Sequence, residues 1–368
     1  MVSMEETTIW YGPQHPAIHG FALQVKMVGD YVVEVNPRVG MFHRSAEKVL
    51  EFRTFQQGPL IFERLSMFEA MAQPLPFVMA IEQIADVEVP ERVQYIRTIV
   101  AELARIHTLI FWLGTFGAEL GQFYTLMWPL RDREYILDIF EELTGSRHTP
   151  SYHVPGGVRW DFSDKIIKKI RKNLEYIQKR VPTYWRIFPG SPSFKLRTQG
   201  IGLLSREDAI RLGISGPNLK GADDRSDLRK DDPYLVYDTL DFEVPTGPDG
   251  DALSRMVARI REIETSLDLV LNQLLPNLPD GDFRVEKFPA RLPAGEAYAR
   301  IEGVRGILGA YVRVEEDRSK MPYRVKIRTP SFNHMYGFKH IIESQETRFA
   351  DIVAIYGSLD LYVAEVDR

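Results

Sequence analysis

Two histidines lie four residues apart in the segment His15-Pro16-Ala17-Ile18-His19-Gly20, near the start of this 368-residue chain. Imidazole is the side chain whose unperturbed pKa lies nearest neutrality, so the pair could deliver protons or hold a ligand. Two prolines, Pro13 and Pro16, restrict the backbone around them. The alternative is that both histidines are structural loop residues, because short motifs often occur without a function.

The composition limits the chemistry that this chain can perform. It contains no cysteine, which excludes thiolate-bound zinc, nickel or iron–sulfur clusters within the chain. Hydrophobic residues make up 44% and charged residues 26%, which is typical of a globular protein. The net charge of -5 argues against a general nucleic-acid binder. The N-terminus lacks a basic segment followed by an apolar one, so no secretory signal is predicted.

One apolar stretch, residues 108–130, is long enough to span a bilayer, and Glu119 is its sole charged residue. A carboxylate at the centre of a membrane helix costs considerable free energy. The sequence therefore favours a buried core helix that ends in a polar pocket over a membrane-spanning helix.

Hydrophobic periodicity predicts an N-terminal β-hairpin, a helical body and a C-terminal region with short strands. The hairpin covers residues 21–36 and turns at Gly29-Asp30. The predicted helices are 44–57, 64–85, 90–120, 130–144, 162–181, 252–274 and 337–344, and the predicted strands are 296–303, 308–315 and 322–328. We expect three regions: a loop and hairpin at 1–40, a bundle at 41–275 with an irregular excursion at 214–251, and a β-containing segment at 276–368.

Several longer motifs occur in order along the whole chain. They include Gly12-Pro13-Gln14-His15-Pro16-Ala17-Ile18-His19-Gly20, Gly40-Met41-Phe42-His43-Arg44-Ser45-Ala46-Glu47-Lys48, Ser215-Gly216-Pro217-Asn218-Leu219, Pro322-Tyr323-Arg324-Val325-Lys326-Ile327-Arg328 and the ending Val366-Asp367-Arg368. Together they resemble the D-type, quinone-site subunit of respiratory complex I (NADH-quinone oxidoreductase), which is related to the large subunit of nickel–iron hydrogenases. The resemblance implies an α+β fold of that hydrogenase type, with a central helical bundle and small β elements near both termini.

The resemblance also implies that the hydrogenase metal site has been lost. Ser66 and Glu69 stand where hydrogenase relatives carry their first pair of metal-binding cysteines, and Tyr362 and Glu365 stand where they carry the second pair. These side chains offer no soft sulfur ligands, so we expect no nickel and no other metal in this chain.

The family's quinone site implies further candidate residues. By the resemblance, His19 is the quinone-facing histidine and Glu119 its acidic partner, whose charge would fix the tautomer of His19 and raise its pKa. The family's second quinone ligand is a tyrosine, and Met67 stands at that position. A thioether cannot donate a hydrogen bond, but it suits contact with a polarisable ring or a sulfur substrate. Tyr124, Tyr336 and Tyr362 are possible replacement donors, although each could be an ordinary half-buried tyrosine.

We expect His15, Arg64 and Tyr362 to help Met67 bind the acceptor. Arg53 and Arg64 are 11 residues apart on a predicted helix, and the family implies that such arginines tune an iron–sulfur cluster in a partner protein. Ordinary salt bridges with Glu63 or Glu69 are the alternative.

The resemblance predicts a subunit that binds no cofactor itself and belongs to a membrane-bound oxidoreductase on the cytoplasmic face. It implies B-like, C-like and H-like partner subunits, as in complex I, with the iron–sulfur cluster in the B-like small subunit. The acceptor would be a quinone. Met67 keeps open a sulfur- or polysulfide-reducing relative, and a non-catalytic coupling scaffold is a third possibility.

Overall fold

Long helices joined to three small antiparallel sheets make up the computed structural model, which describes residues 6–15, 18 and 20–368. The strands are β1 (Glu6–Tyr11), β2 (Ala22–Val28), β3 (Tyr31–Arg38), β4 (His153–Val154), β5 (Gly157–Val158), β6 (Gly295–Glu302), β7 (Ile307–Val314), β8 (Arg324–Arg328) and β9 (Thr347–Arg348). The helices are α1 (Ala46–Leu50), α2 (Gly58–Phe62), α3 (Leu75–Ala85), α4 (Glu91–Glu119), α5 (Tyr124–Thr144), α6 (Asp164–Ile187), α7 (Pro192–Thr198), α8 (Arg206–Arg211), α9 (Pro217–Lys220), α10 (Leu228–Asp231), α11 (Ala252–Asp268), α12 (Pro330–Glu343), α13 (Ile352–Leu359) and α14 (Val363–Val366).

The predicted N-terminal hairpin is confirmed. β2 and β3 pair antiparallel around the turn at Gly29-Asp30, β1 pairs with β2, and β9 from the C-terminal region pairs with β3. Alternate residues such as Val25 and Val35 are buried, as expected for a sheet with one face on the core. Glu343 at the end of α12 accepts a hydrogen bond from the backbone N–H of Val35 at 3.0 Å, so the sheet and the C-terminal region form one unit.

α4 is the central helix of the bundle. It alone among the described residues is long and apolar enough to cross a membrane, and 89% of its most apolar window is buried inside the protein. The apolar stretch 108–130 is not one helix, because α4 ends at Glu119 and α5 begins at Tyr124. Gly121, with a φ of +84°, occupies the left-handed region at this turn. α4 is therefore a buried core helix that ends at Glu119, as predicted.

Two of the predicted helices are wrong. In place of continuous helices over 44–57 and 64–85, the structure has the short helices α1 and α2, turns over 63–74, and then α3. Pro74 and Pro76 explain why α3 begins only at Leu75, because proline lacks a backbone N–H and fits best at the start of a helix. Arg53 and Arg64 are consequently not on one helix.

The C-terminal strands β6, β7 and β8 are confirmed as an antiparallel sheet. The helix predicted at 337–344 is longer and begins at Pro330, where proline at the first turn lacks only an N–H that would have no helical partner. The 214–251 excursion has no long helix or strand. Even so, its charged side chains Lys220, Asp227 and Arg229 are buried.

Candidate functional site

A cavity of about 320 Å³ opens where α4, the turns before α3 and the C-terminal segment meet. Its walls are largely aromatic and aliphatic, with few polar groups, as in a typical small-molecule site. The lining residues are Phe42, Met67, Phe68, Phe111, Trp112, Thr115, Glu119, Arg305, Tyr356, Gly357, Asp360, Leu361, Tyr362, Val363 and Ala364. The cavity thus brings together three sequence-predicted residues, Met67, Glu119 and Tyr362, from three distant parts of the chain.

The 66–69 turn is fixed against α4. The carbonyl oxygen of Phe68 accepts hydrogen bonds from Thr108 Oγ1 at 2.8 Å and from His107 Nδ1 at 2.9 Å. Arg133 Nε donates to His107 Nε2 at 2.8 Å, which leaves Nδ1 as the protonated nitrogen. Burial lowers the pKa of His107 to about 3, and the charge of Arg133 contributes to that lowering. A neutral imidazole therefore holds the turn that presents Met67, whose side chain is 47% exposed at the cavity edge.

The C-terminus closes the opposite side of the cavity. The Asp367 carboxylate accepts hydrogen bonds from the backbone N–H groups of Gly40 and Phe42, both at 2.8 Å. This contact places the Phe42 ring on the cavity wall. The motif around Gly40 and the chain ending therefore act together to build the site.

Glu119 projects into the cavity beside α13. A Cβ atom added at Gly357 would lie 2.1 Å from Glu119 Oε2, so only glycine allows this approach. Trp112 Nε1 donates to the carbonyl oxygen of Gly357 at 2.8 Å and fixes the spacing of the two helices. Burial raises the pKa of Glu119 well above its usual range, and the nearby Asp360 carboxylate raises it further. A carboxyl in this setting favours its protonated form and can donate a proton.

His19 lies outside the described residues, so its predicted pairing with Glu119 stays a prediction. Its neighbour His15 lies against Tyr11, with the two ring centroids 4.3 Å apart. Burial raises the pKa of Tyr11, and the charge of Glu119 adds to that effect. Tyr11, which contacts His15, therefore lies within range of the Glu119 charge.

Arg305, which no sequence motif marks, contacts all four residues for which the sequence resemblance implied a lost metal site. Its guanidinium lies 2.9 Å from Ser66 Oγ, 3.9 Å from Glu69 and 3.3 Å from Glu365, and 4.9 Å from the ring centroid of Tyr362. The only signal in the sequence is a single arginine between two glycines at a predicted strand turn. One organic cation thus links the turns before α3 to the C-terminal segment.

Acidic groups outnumber cations around Arg305. Its Nε also lies 3.1 Å from Asp360. Burial raises the pKa of Glu69, and it raises the pKa of Glu365 to about 7, in both cases against the opposing effect of Arg305. The site therefore favours the protonated forms of both carboxyl groups, and Glu365 binds its proton near neutral pH.

Of the three candidate replacement tyrosines, Tyr362 lines the cavity. Its hydroxyl contacts the backbone of Met67, and burial raises its pKa. Tyr124 and Tyr336 are 60% and 58% exposed and contact Gln122 and Phe332, respectively. Tyr362 thus places a hydroxyl beside the residue that replaces the family's tyrosine.

The two predicted cluster-tuning arginines have exposed side chains. Arg64 Nη1 donates to the carbonyl oxygen of Leu60 at 2.7 Å and lies 3.9 Å from the Glu63 carboxylate. Glu69, the alternative salt-bridge partner, contacts Arg305 instead. Neither Arg53 nor Arg64 is among the described residues that line the cavity.

Comparison with known proteins agrees with this architecture. Residues 119–294 and 287–368 match the family described as respiratory-chain NADH dehydrogenase, 49 Kd subunit. The D-type subunit of the NADH-quinone oxidoreductase of Desulforamulus reducens is 38% identical over 369 residues, covering 100% of this chain and 99% of that protein. The corresponding subunit of Bacillus mycoides is 36% identical over 370 residues, covering 100% of both. A chain in the solved structure of the membrane-bound sulfane sulfur reductase (MBS), an archaeal respiratory membrane complex, is 34% identical, with complete coverage of both chains and a TM-score of 0.94.

The mixed helix and strand fold and its acid-lined cavity define a subunit of a respiratory oxidoreductase that acts within a larger complex. The chain belongs to the family of 49 Kd, or D-type, subunits of respiratory-chain NADH dehydrogenases.

Proposed function

We propose that this chain forms the electron-acceptor pocket of a membrane-bound, complex I-like oxidoreductase. The observation that carries the proposal is the single cavity lined by Met67, Glu119 and Tyr362, two of which stand at positions that match the family's quinone site. Electrons would arrive from an iron–sulfur cluster in a neighbouring small subunit, because this chain has no cysteine to bind one.

A quinone that takes up two electrons also takes up two protons at its oxygen atoms. Glu119, with its raised pKa, would supply one proton together with His19. The Tyr362 hydroxyl would donate a hydrogen bond on the Met67 side of the cavity. The aromatic walls formed by Phe68 and Phe111, whose ring centroids are 3.9 Å apart, suit a planar apolar ligand.

The charge balance of the pocket favours an acceptor that enters uncharged. Glu69, Asp360 and Glu365 contact Arg305, which is the one cation among the described residues that line the cavity, and Glu119 faces Asp360. A permanent anion would therefore meet like charges unless several of these groups were protonated. A neutral molecule that becomes basic on reduction would instead receive protons from these acids.

A sulfane or polysulfide acceptor is the second candidate. Met67 favours it, because a thioether cannot replace the hydrogen bond of a tyrosine but contacts sulfur well. The similarity to a chain of the sulfane sulfur reductase supports this alternative, whereas the NADH-quinone oxidoreductase relatives support the quinone. A coupling scaffold that catalyses no reaction would need neither the Glu119 carboxyl nor the Tyr362 hydroxyl.

The remaining parts of the proposal concern the related fold, the partner subunits and the location in the cell. We propose a fold like that of the nickel–iron hydrogenase large subunit, B-like, C-like and H-like partner subunits, and a position on the cytoplasmic face of the membrane. Nickel does not fit the site, because Ser66, Glu69, Tyr362 and Glu365 are oxygen donors or aromatic and already contact the Arg305 guanidinium.

The test is acceptor reduction by the purified intact complex, with decylubiquinone and a linear tetrasulfide offered separately. Tyr362→Phe should lower the rate by about tenfold or more if the hydroxyl takes part in proton donation, and Glu119→Gln should do the same. Tyr124→Phe is the matched control, because that tyrosine is exposed and does not line the cavity. Reduction of the cluster without any effect of the cavity variants on either acceptor would refute the pocket assignment and favour the scaffold.

A further inference from the structure

A second group of buried charges lies behind the cavity, with no part in the function proposed above. Lys220 Nζ contacts three carboxylates: Asp227 at 2.7 Å, Glu262 at 2.6 Å and Glu302 at 3.5 Å. Lys220 lies on α9, Glu262 on α11 and Glu302 on β6, and Asp227 directly precedes α10. A lysine in a fully buried setting requires such pairing to remain charged.

Two arginines extend the group. Arg229 contacts Asp227 at 2.7 Å and Glu102 at 3.2 Å, and Arg105 lies 3.5 Å from Glu102 and 3.7 Å from Glu262. The interior cluster therefore consists of seven residues, each at most 3% exposed: Glu102, Arg105, Lys220, Asp227, Arg229, Glu262 and Glu302. It holds three cations and four carboxyl groups, and two further arginines act on it from outside, Arg259 on Glu262 and Arg328 on Glu302. Among buried carboxyl groups, the one with the fewest hydrogen bonds and ion pairs binds a proton most readily.

Glu302 is the carboxyl that is least well paired. Its Oε2 accepts a hydrogen bond from the backbone N–H of Leu228 at 3.2 Å, while Oε1 has only the 3.5 Å ion pair with Lys220 and no hydrogen bond. Burial raises the pKa of Glu302 to about 7, and the Asp227 carboxylate adds to that effect. The charged or titratable groups that face Glu302 are Asp227 just before α10, Arg229 of α10, Lys220 of α9, Arg105 of α4, Arg328 of β8 and Tyr234.

One short turn separates Glu302 from the acids of the cavity. Arg105 donates to the carbonyl oxygens of Glu302 and Gly303, at 2.6 and 3.2 Å. The next residue, Val304, donates its backbone N–H to Glu69 Oε1 at 2.8 Å. A Cβ atom added at Gly303 would lie 3.1 Å from that same oxygen, so the glycine keeps the approach to Glu69 open.

From Glu69 the polar contacts continue to the cavity wall. Gln73 Nε2 donates to Glu69 Oε2 at 3.2 Å and to Glu365 Oε1 at 3.3 Å. Glu365 contacts Arg305, which lines the cavity. The Oε1 atom of Gln73 is buried without a hydrogen bond in the described structure, and a buried acceptor of this kind is commonly satisfied by water.

We propose that Glu302 is a proton-loading group for the reaction in the cavity, exchanging one proton with Glu69 across the 303–306 turn. The inference rests on the proposed function. As the acceptor takes two electrons from the iron–sulfur donor, cavity acids give up protons to it, and the proton on Glu302 moves to Glu69 to replace one of them. A proton from solvent returns to Glu302 when the reduced product leaves. Glu302 thus acts through Glu69 and does not touch the acceptor.

Glu302→Gln in the intact complex tests the proposal. Glutamine resembles a protonated glutamate in size and charge, so assembly should be retained and reduction of the iron–sulfur cluster by dithionite should be unchanged. Reduction of whichever acceptor the wild-type complex uses should fall by about tenfold at alkaline pH, because a positioned proton source has been removed. The difference should shrink at acidic pH, where solvent protons reach the cavity acids, and the solvent deuterium isotope effect should rise. Glu296→Gln is the matched control, since Glu296 lies on the same strand with an exposed side chain.

A Glu302→Gln complex with the wild-type pH profile and isotope effect would overturn the proposal. Should that variant fail to assemble, Glu302→Ala also removes the titratable carboxyl, and an unchanged pH profile there would also overturn the proposal. If the proposed function itself is wrong, Glu119→Gln also leaves acceptor reduction unchanged. A loss in Glu119→Gln without any effect in the Glu302 variants would reject only the proton-loading role.

Discussion

Replacement of Arg305 by glutamine should destabilise the protein more than any surface charge change. The guanidinium lies 3.1 Å from Asp360 and 3.3 Å from Glu365, and all three side chains are largely or fully buried. At an effective dielectric constant of about 20, each contact contributes a gross attraction of about 5 kcal/mol. Much of this offsets the desolvation of the charges, and loss of one partner from a buried ion pair typically costs about 3–5 kcal/mol.

Thermal unfolding of the intact complex, followed for this chain, provides the assay. Arg300→Gln is the matched control, because Arg300 forms an exposed ion pair with Asp232 in the same sheet and such pairs contribute about 0–1 kcal/mol. The double variant Arg305→Gln/Glu365→Gln should regain part of the loss, since it removes one of the carboxylates left without a partner. Equal unfolding temperatures for the Arg305 and Arg300 variants, or a further loss in the double variant, would refute this account of the site.

Three other changes test separate features of the pocket. Gly357→Ala places a methyl group 2.1 Å from Glu119 Oε2 and should displace that acid. Acceptor reduction should then fall by up to about a hundredfold, and calorimetry should show a loss of about 1–3 kcal/mol in the free energy of unfolding. A normal rate would show that the position of Glu119 is unimportant. Met67→Tyr should preserve or raise turnover with decylubiquinone and lower it with tetrasulfide, and the opposite preference would exclude a quinone. Because the pKa of Glu365 is raised to about 7 in the folded protein, stability should fall by about 3 kcal/mol as the pH rises from about 4.5 to 7, and Glu365→Gln should remove that part of the pH dependence.

Much of the architecture could be predicted because it depends on local patterns. The β2–β3 hairpin follows from strict alternation around Gly29-Asp30, and the C-terminal sheet follows from similar alternation. The same reasoning failed between residues 50 and 75, where apolar residues with helical spacing are interrupted by Pro59 and Pro74. Here burial of Glu69 and Gln73 beneath the turns outweighs the periodicity, and their hydrogen bonds determine the backbone course.

The cavity could be predicted only through its retained motifs. Met67, Glu119 and Tyr362 match positions in the family's sequence pattern, and the structure places them around one cavity. Arg305 has no such marker. Its contacts to Ser66 and Glu365 span 239 and 60 residues, and no periodicity within a short window contains information about pairings of that length.

The contacts of Arg305 explain how two buried acidic segments can pack together. The turns before α3 and the C-terminal segment carry carboxyl groups at Glu69 and Glu365, which repel each other when ionised. The Arg305 guanidinium relieves that repulsion and contacts both segments through Ser66 and Glu365. Because it supplies one positive charge against several acids, it does not offset the effect of burial, and the pKa of Glu365 stays raised to about 7. The arrangement that links the two segments thereby leaves a proton donor next to the cavity wall.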